Sequence, residues 1–202
     1  MAMACDEREE FTGLLDGLTP EQWEHPTLCE RWRVRDVVAH AFGFDEFSRT
    51  QVIGLFLRGR LSFDRINGLG VAEYAGRTPE ELCAMVHAHR QPRGLTAAFG
   101  GMIALVDGMI HQQDIRRPLG RPRDIPAARL HTVLDFARYV PVVRGAWRAR
   151  GVRLVADDLD WTAGKGPEVH GSGEALLMAM AARRAALDDL TGPGKSTLAE
   201  HI

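Results

Sequence analysis

The chain has 202 residues, of which 45% are hydrophobic and 26% charged, a composition typical of a globular protein and not of a disordered one. Because 25 Lys and Arg residues face 27 Asp and Glu residues, no positive excess is available for phosphates, and dedicated nucleic-acid binding is disfavoured. No apolar run approaches the ~18 residues that a membrane span requires, and the N-terminus lacks the features of a secretory signal. The three Cys residues are widely spaced and predict no disulfide framework, so a cytoplasmic protein is expected.

Helices are predicted to dominate the first three-quarters of the chain. Apolar residues recur at helical spacing, and Thr78-Pro79 is a typical helix start, with an N-cap followed by proline at the first helical position. The Gly- and Arg-rich stretch 58–77 is predicted to be a loop. The predicted helices comprise residues 5–17, 34–57, 78–90, 95–117 and 126–149.

The pattern changes near residue 150. Residues 152–158 are typical of a β-strand, a loop or hairpin return follows, and residues 173–190 are strongly helical. The predicted fold is therefore mainly α. It comprises a four-helix bundle over residues 1–150 and a small α/β region over residues 151–202.

Two of the long predicted helices carry the same spacing, Asp-x-x-x-His. The first instance is Asp36 with His40, and the second is Asp107 with His111, followed by Asp114. Residues four apart share a helix face, and these His residues lie on or beside the apolar stripe that faces the bundle interior. Polar side chains in such positions are unfavourable unless they are paired or hold a ligand.

A His from one helix together with an Asp and a His from another would supply two nitrogens and one oxygen. Three protein ligands leave a coordination position open, as in catalytic metal sites, and this donor set suits Zn²⁺, with Ni²⁺ and Fe²⁺ as alternatives. From spacing alone, hydrogen-bonded core histidines remain the more common interpretation. Asp36 lies in the first helical turn, where a carboxylate interacts favourably with the helix dipole or could hydrogen-bond His40. It is not expected to be a metal ligand.

These residues resemble a known family. WRVRDVVAH (32–40), DGMIHQQDIRRPLG (107–120) and the tail 158–194 are similar to stretches of the DinB-like, mycothiol-dependent maleylpyruvate isomerase superfamily. The resemblance implies a four-helix bundle with one divalent metal, usually zinc, held by His40, Asp107 and His111. It also implies mycothiol as a thiol cofactor. Asp107 departs from the pattern, since the isomerase has Glu there, and this shorter side chain would have to approach through a backbone shift, bind the metal weakly or receive help from Asp114.

The leading functional hypothesis is therefore a metal- and thiol-dependent transferase or isomerase acting on an electrophilic small molecule. Asp114 and Arg116 are candidate catalytic residues, and Arg117 is a candidate contact for the carboxylates of a thiol cofactor. The alternatives are a hydrolase that uses metal-bound water with Asp114 as base, and a non-enzymatic metal-binding or sensor module. The expected partners are a small-molecule substrate and a low-molecular-weight thiol, without nucleic acid or membrane, in a monomer or homodimer.

Overall fold

The computed structural model describes residues 1–141 and 143–202. Nearly all of its regular structure is helical, and no helix among these residues is long and apolar enough to cross a membrane. The helices are α1 (Ala2–Asp16), α2 (Pro20–Trp23), α3 (Val34–Gly43), α4 (Arg49–Arg58), α5 (Phe63–Ala72), α6 (Pro79–Ala88), α7 (Ala98–Arg116), α8 (Ala127–Ala137), α9 (Gly145–Arg148), α10 (Gly173–Met180) and α11 (Lys195–Ala199). The strands are β1 (Arg153–Ala156), β2 (Thr162–Gly164) and β3 (Glu168–Gly171).

The first of two compact units, Met1–Arg121, is a four-helix bundle. Helices α1 and α3 each pack against both α6 and α7. Their apolar faces meet in one core, whose buried members include Phe11, Val38, Leu82 and Ile115. This packing places α3 next to α7, so the two Asp-x-x-x-His segments lie on neighbouring helices.

The predicted continuous helix 34–57 is wrong, because the chain turns between α3 and α4. At Gly43, where α3 ends, an added Cβ would lie 2.6 Å from Tyr74 Cε2, so only glycine allows this close approach. Ser48 then starts α4 with a capping box, in which its hydroxyl accepts from the Gln51 backbone N–H and its own N–H donates to the Gln51 side chain.

The stretch 58–77, predicted to be a loop, contains α5 (Phe63–Ala72). Glycines lower its intrinsic helix propensity, but α5 packs against α3 and α4. Its Ile66 is buried in a small cluster with Phe44 and Leu55. Tertiary packing of an apolar face therefore stabilises a helix that local propensity does not predict.

A buried ion pair fastens the turn between α3 and α4 to the rest of the bundle. Both guanidinium Nη atoms of Arg8 on α1 donate to Asp45, over 3.0 and 2.9 Å, and both side chains are almost completely buried. Arg8 also donates to the carbonyl oxygen of His89, while Asp45 accepts from the Arg93 backbone N–H and the Thr96 hydroxyl. We refer to these five residues as the Arg8–Asp45 network.

The second unit, Pro122–Ile202, is a small α/β assembly. Its three strands form a sheet in the order β2-β1-β3, with β1 antiparallel to β2 and parallel to β3. Leu154 on β1 pairs with Ala163 on one side and Val169 on the other. Helix α10 packs on α8 and on this sheet, which gives the unit its own buried core.

The predicted helix 126–149 is also wrong as a continuous element, and it is not part of the bundle. Helix α8 ends at Ala137, and Pro141 follows, which has no N–H to continue a helix. Arg144 is left-handed at φ 55°, and a Cβ on Gly145 would lie 2.7 Å from the Ala137 carbonyl oxygen. Since α8 and α9 lie in the second unit, the division of the chain falls after residue 121, whereas the sequence predicted it after residue 150.

The helix predicted over residues 173–190 is interrupted as well. Helix α10 ends at Met180, Ala182 takes a left-handed conformation with φ 63°, and a 3₁₀ helix follows over Arg184–Asp189. The remaining predictions for this region hold, because a short strand over 153–156 is followed by an antiparallel hairpin partner.

Candidate metal centre

The centre is built from two helices of the bundle. His40 lies in the last turn of α3, whereas Asp107 and His111 lie one turn apart on α7. The four-residue spacing on α7 directs both side chains to the same face, next to α3. The packing of α3 on α7 therefore brings together the three residues whose spacing predicted a metal site.

The donor atoms of these three residues converge. The Nε2 atoms of His40 and His111 each lie 3.5 Å from Asp107 Oδ1, and one ligand atom from each residue falls within 4.8 Å of the others. A distance of 3.5 Å exceeds the ~2.9 Å typical of an N–H···O hydrogen bond. It is close to the about 3.4 Å that separates two ligands of a tetrahedral zinc ion. We call His40, Asp107 and His111 the metal triad.

The triad is open on one side. The His40 and His111 side chains are each 10% exposed, whereas the Asp107 side chain is 33% exposed. A ligand from solvent would therefore approach beside Asp107, while the two imidazole rings remain within the bundle. This combination of nearly buried donors and one accessible side is typical of a site that keeps a coordination position for a reactant.

The three groups are electrostatically coupled. Burial disfavours the carboxylate of Asp107, but the adjacent His111 and His40 outweigh that effect and hold its pKa well below the usual range. Burial likewise disfavours a charged His111, yet Asp107, Asp114 and Cys29 raise the pKa of His111 above its usual value. The triad therefore favours positive charge next to Asp107, whether protons or a metal ion supply it.

Asp114 lies behind His111 and does not share the open side with the triad. Its side chain is fully buried, and its Oδ2 accepts the Nδ1–H of His111 over 2.9 Å. In the neutral imidazole this contact keeps the proton on Nδ1, so that Nε2, which faces Asp107, is available to a metal. A carboxylate that orients a ligating histidine in this way is a frequent feature of metal sites.

Aromatic rings hold His40. The Trp32 ring lies 4.8 Å from the His40 ring between centroids, and Phe44 presents its edge to it at 6.2 Å. The Nδ1 atom of His40 is buried and has no hydrogen-bond partner among the described residues. Asp36 does not supply one, because it turns back to accept the Arg33 backbone N–H and the Arg33 Nε–H at the start of α3.

Arg116 and Arg117 lie at the end of α7. Arg116 Nε donates to Gln112 Oε1 over 2.7 Å, and Gln112 in turn donates to the buried carboxylate of Glu7. Arg116 also donates to the carbonyl oxygen of Arg121, as expected for an arginine at a helix C-terminus. Arg117 directly follows α7 and is half-buried.

Sequence reasoning gave little weight to two residues that contact the histidines, Trp32 and Cys29. Trp32 packs on His40, and the Cys29 Sγ lies 3.1 Å from Asp114 Oδ2. Both belong to the segment between α2 and α3, which has no regular periodicity to reveal which side chains face the bundle. The tryptophan lies within the motif that ends at His40, and this was the one available signal.

Comparison with known proteins identifies the family and the fold. Residues 5–130 match the family described as the mycothiol maleylpyruvate isomerase N-terminal domain. The structure is similar to crystal structures of the mycothiol-dependent maleylpyruvate isomerase and of a histidine-to-alanine mutant of it. For both, the TM-score is 0.63 at 16% sequence identity, over 96% of this chain and 91% of the other. No curated protein sequence matches the chain.

Because the family match covers more than half of the sequence, the chain belongs to the mycothiol maleylpyruvate isomerase N-terminal domain family. The structural similarity confirms the predicted fold, a DinB-like four-helix bundle followed by a small α/β unit.

Proposed function

We propose that this member of the family binds one divalent metal through His40, Asp107 and His111. We further propose that it uses the metal together with mycothiol, as a transferase or isomerase of an electrophilic small molecule. The observation that carries the proposal is the convergence of the three donors at 3.5 Å, with the accessible side at Asp107.

The donor set fits a divalent metal. Two imidazole nitrogens and one carboxylate oxygen suit Zn²⁺, and they also suit Ni²⁺ or Fe²⁺. Asp107 is one methylene shorter than the Glu of the isomerase pattern, but it still lies equally close to both imidazole rings. The substitution is therefore compatible with a complete ligand set and needs no help from Asp114.

When bound, such a metal supplies a Lewis acid that stabilises a thiolate near neutral pH. The protein contributes the arrangement around it. Asp114 fixes the tautomer of His111, Trp32 and Phe44 limit the rotation of His40, and the nearly buried histidines keep bulk water from all but one side.

The same geometry bears on Asp114 as a candidate general base. Its Oδ2 already accepts hydrogen bonds from His111 and Cys29, and its side chain is fully buried. A base for metal-bound water would have to face the open side beside Asp107. We therefore propose that Asp114 orients His111, which favours the thiol-dependent reaction over the hydrolase alternative.

The first test is the metal content of untagged protein by elemental analysis. The comparison includes wild type, His40→Ala, His111→Ala and the control His87→Ala, whose ring pairs with Asp16 on the surface. We expect about one metal per chain in wild type and in the control, and loss of metal in the two triad variants. Absence of metal from wild type after incubation with Zn²⁺, Ni²⁺ or Fe²⁺ would contradict the proposal.

The second test separates the reaction classes with metal-loaded protein. Mycothiol binding by calorimetry, and turnover of electrophilic substrates only in its presence, are the expected results. Hydrolysis of esters or amides without a thiol would instead favour the hydrolase. A His40→Ala variant that folds, lacks metal and still binds a protein partner would favour the sensor module.

A further inference from the structure

Cys29 lies next to His111 of the metal triad, on the Nδ1 side of the imidazole ring. Its Sγ lies 3.1 Å from Asp114 Oδ2 and 3.8 Å from His111 Nδ1. The same Asp114 oxygen accepts the Nδ1–H of His111 over 2.9 Å. Two donors, one thiol and one imidazole, therefore converge on a single oxygen of a fully buried carboxylate.

The segment that carries Cys29 is attached to both histidines of the triad. The backbone N–H of Leu28 donates to the Asp114 carbonyl oxygen over 3.1 Å, which fixes the segment to α7. Three residues after Cys29, Trp32 packs on His40 of α3. The position of the thiol is thus determined by the same contacts that hold the two helices at the site.

We propose that Cys29 is a positioning residue of the metal centre, which acts through Asp114 to set the orientation and donor strength of the His111 ligand. This inference rests on the proposed function, because it requires that the triad binds a metal. The distances around Asp114 are those of hydrogen bonds, in contrast to the 3.5 Å separations within the triad. The thiol is therefore assigned to the support of a ligand. Cys29, His111 and Asp114 also offer ligand atoms within 4.8 Å of one another, so direct ligation by the thiol is one of the outcomes tested below.

The proposal predicts different outcomes for two substitutions at the same position. Cys29→Ala removes one donor to the Oδ2 atom of Asp114, so the carboxylate can shift and hold His111 less firmly. Second-layer partners of metal ligands typically contribute ~10–100-fold to affinity, so a residue one step further away should contribute about three- to tenfold. Cys29→Ser keeps a donor, and its Co²⁺ affinity should stay within about twofold of wild type.

The measurements are Co²⁺ affinity by chelator competition and the d–d absorption spectrum of the Co²⁺ protein. The spectrum reports ligand geometry, which a cysteine that only fills space would leave unchanged. Cys83→Ala is the matched control, because both thiols are half-buried against the apolar core of the bundle, whereas Cys29 in addition donates to Asp114. We expect an altered d–d spectrum in Cys29→Ala, a spectrum close to wild type in Cys29→Ser, and none of these changes in Cys83→Ala.

A double-mutant cycle tests whether Cys29 acts through Asp114. Asp114→Asn alone should weaken Co²⁺ binding by about 10–100-fold. Adding Cys29→Ala to that variant should then have little further effect, since the residue through which the thiol acts is already lost. Additive effects would overturn the proposal, and so would a sulfur-to-cobalt charge-transfer band in wild type, which would make Cys29 a direct ligand.

The two proposals can fail separately. Unchanged affinity and spectrum in Cys29→Ala, beside a wild type that binds Co²⁺, would overturn only the role of Cys29. A wild type that binds no Co²⁺ would remove the metal site itself.

Discussion

Two clusters of buried charge in the bundle differ in how their charges are satisfied. In the Arg8–Asp45 network, the guanidinium and the carboxylate meet at 2.9 and 3.0 Å, and further backbone and hydroxyl groups complete their hydrogen bonds. In the metal triad, the ring nitrogens lie 3.5 Å from the carboxylate, and the buried Nδ1 of His40 has no partner among the described residues. The first cluster is complete within the protein, whereas the second has the spacing of groups around an additional ion.

We interpret this difference as one between a cluster that stabilises the fold and a cluster that holds a ligand. Buried polar groups are normally hydrogen-bonded, so a saturated cluster requires no explanation beyond stability. A cluster whose ring nitrogens and carboxylate face one another beyond hydrogen-bonding distance is the kind of site that we propose to hold a ligand. His40 of the triad and Asp45 of the network are only five residues apart along the chain. Single substitutions at these two positions therefore compare the two clusters within one small region.

The largest expected effect is on the saturated cluster. Asp45→Ala leaves the Arg8 guanidinium buried without its counter-charge, and we expect the free energy of unfolding to fall by about 3–5 kcal/mol. Urea denaturation in the presence of chelator measures this change. Arg58→Ala is the control, because its pair with Glu73 is exposed and should contribute at most ~1 kcal/mol.

His40→Ala belongs in the same experiment. Without metal, it should destabilise the protein far less than Asp45→Ala, because the ring nitrogens of the triad lie 3.5 Å from the carboxylate and not at hydrogen-bonding distance. Equal destabilisation by His40→Ala and Asp45→Ala would remove the distinction between the two clusters.

What the sequence predicts and what it misses follow the same division between the two clusters. His40, Asp107 and His111 were predicted because four-residue spacing and the family resemblance depend on short, regular segments. The Arg8–Asp45 network was not predicted, since its partners lie on α1 and in a turn, and no local pattern connects them. The turn itself is predicted as helix because apolar residues recur across it at helical spacing, whereas the burial of Asp45 depends on a contact with a residue 37 positions away.

The next effect concerns the triad. If Zn²⁺ binds only the folded protein, a concentration of 100 times the Kd should stabilise wild type by about 2.7 kcal/mol. His111→Ala should show no such shift, and Asp45→Ala should retain it if that variant remains folded at the start of the titration. Thermal unfolding with and without Zn²⁺ measures the difference. A Zn²⁺-dependent shift that persists in His111→Ala would place the metal elsewhere.

A smaller effect should appear in the pH dependence of the metal-free protein. The folded-state pKa of His111 lies above its unfolded value, so this stabilisation is fully present below the usual pKa of about 6.5. It is lost as the pH rises through the folded-state value. Asp107 has a lowered pKa, so its contribution is present above its usual value of about 3.9 and is lost as the pH falls through the folded-state value.

Above pH 6.5, the stability of metal-free wild type should therefore decline with pH relative to Asp107→Asn, as measured by urea denaturation in chelator. Zn²⁺ affinity should follow the opposite trend and increase with pH, because the metal displaces protons from the ligands. Parallel stability profiles for wild type and Asp107→Asn would show that the triad is not coupled in the absence of metal.

The smallest expected effect comes from Asp107→Glu, which restores the residue of the isomerase pattern. The Asp107 carboxylate already lies 3.5 Å from both imidazoles. With the same backbone, the added methylene of Glu would either place the carboxylate beyond this position or require the side chain to fold back. We expect Zn²⁺ affinity to fall by about three- to tenfold, at most ~1.4 kcal/mol, with little change in the metal-free stability. Isothermal titration of both proteins measures this difference. A tighter Glu variant would mean that the spacing of α3 and α7 suits the longer ligand, and that the chain carries a weakened form of the family's site.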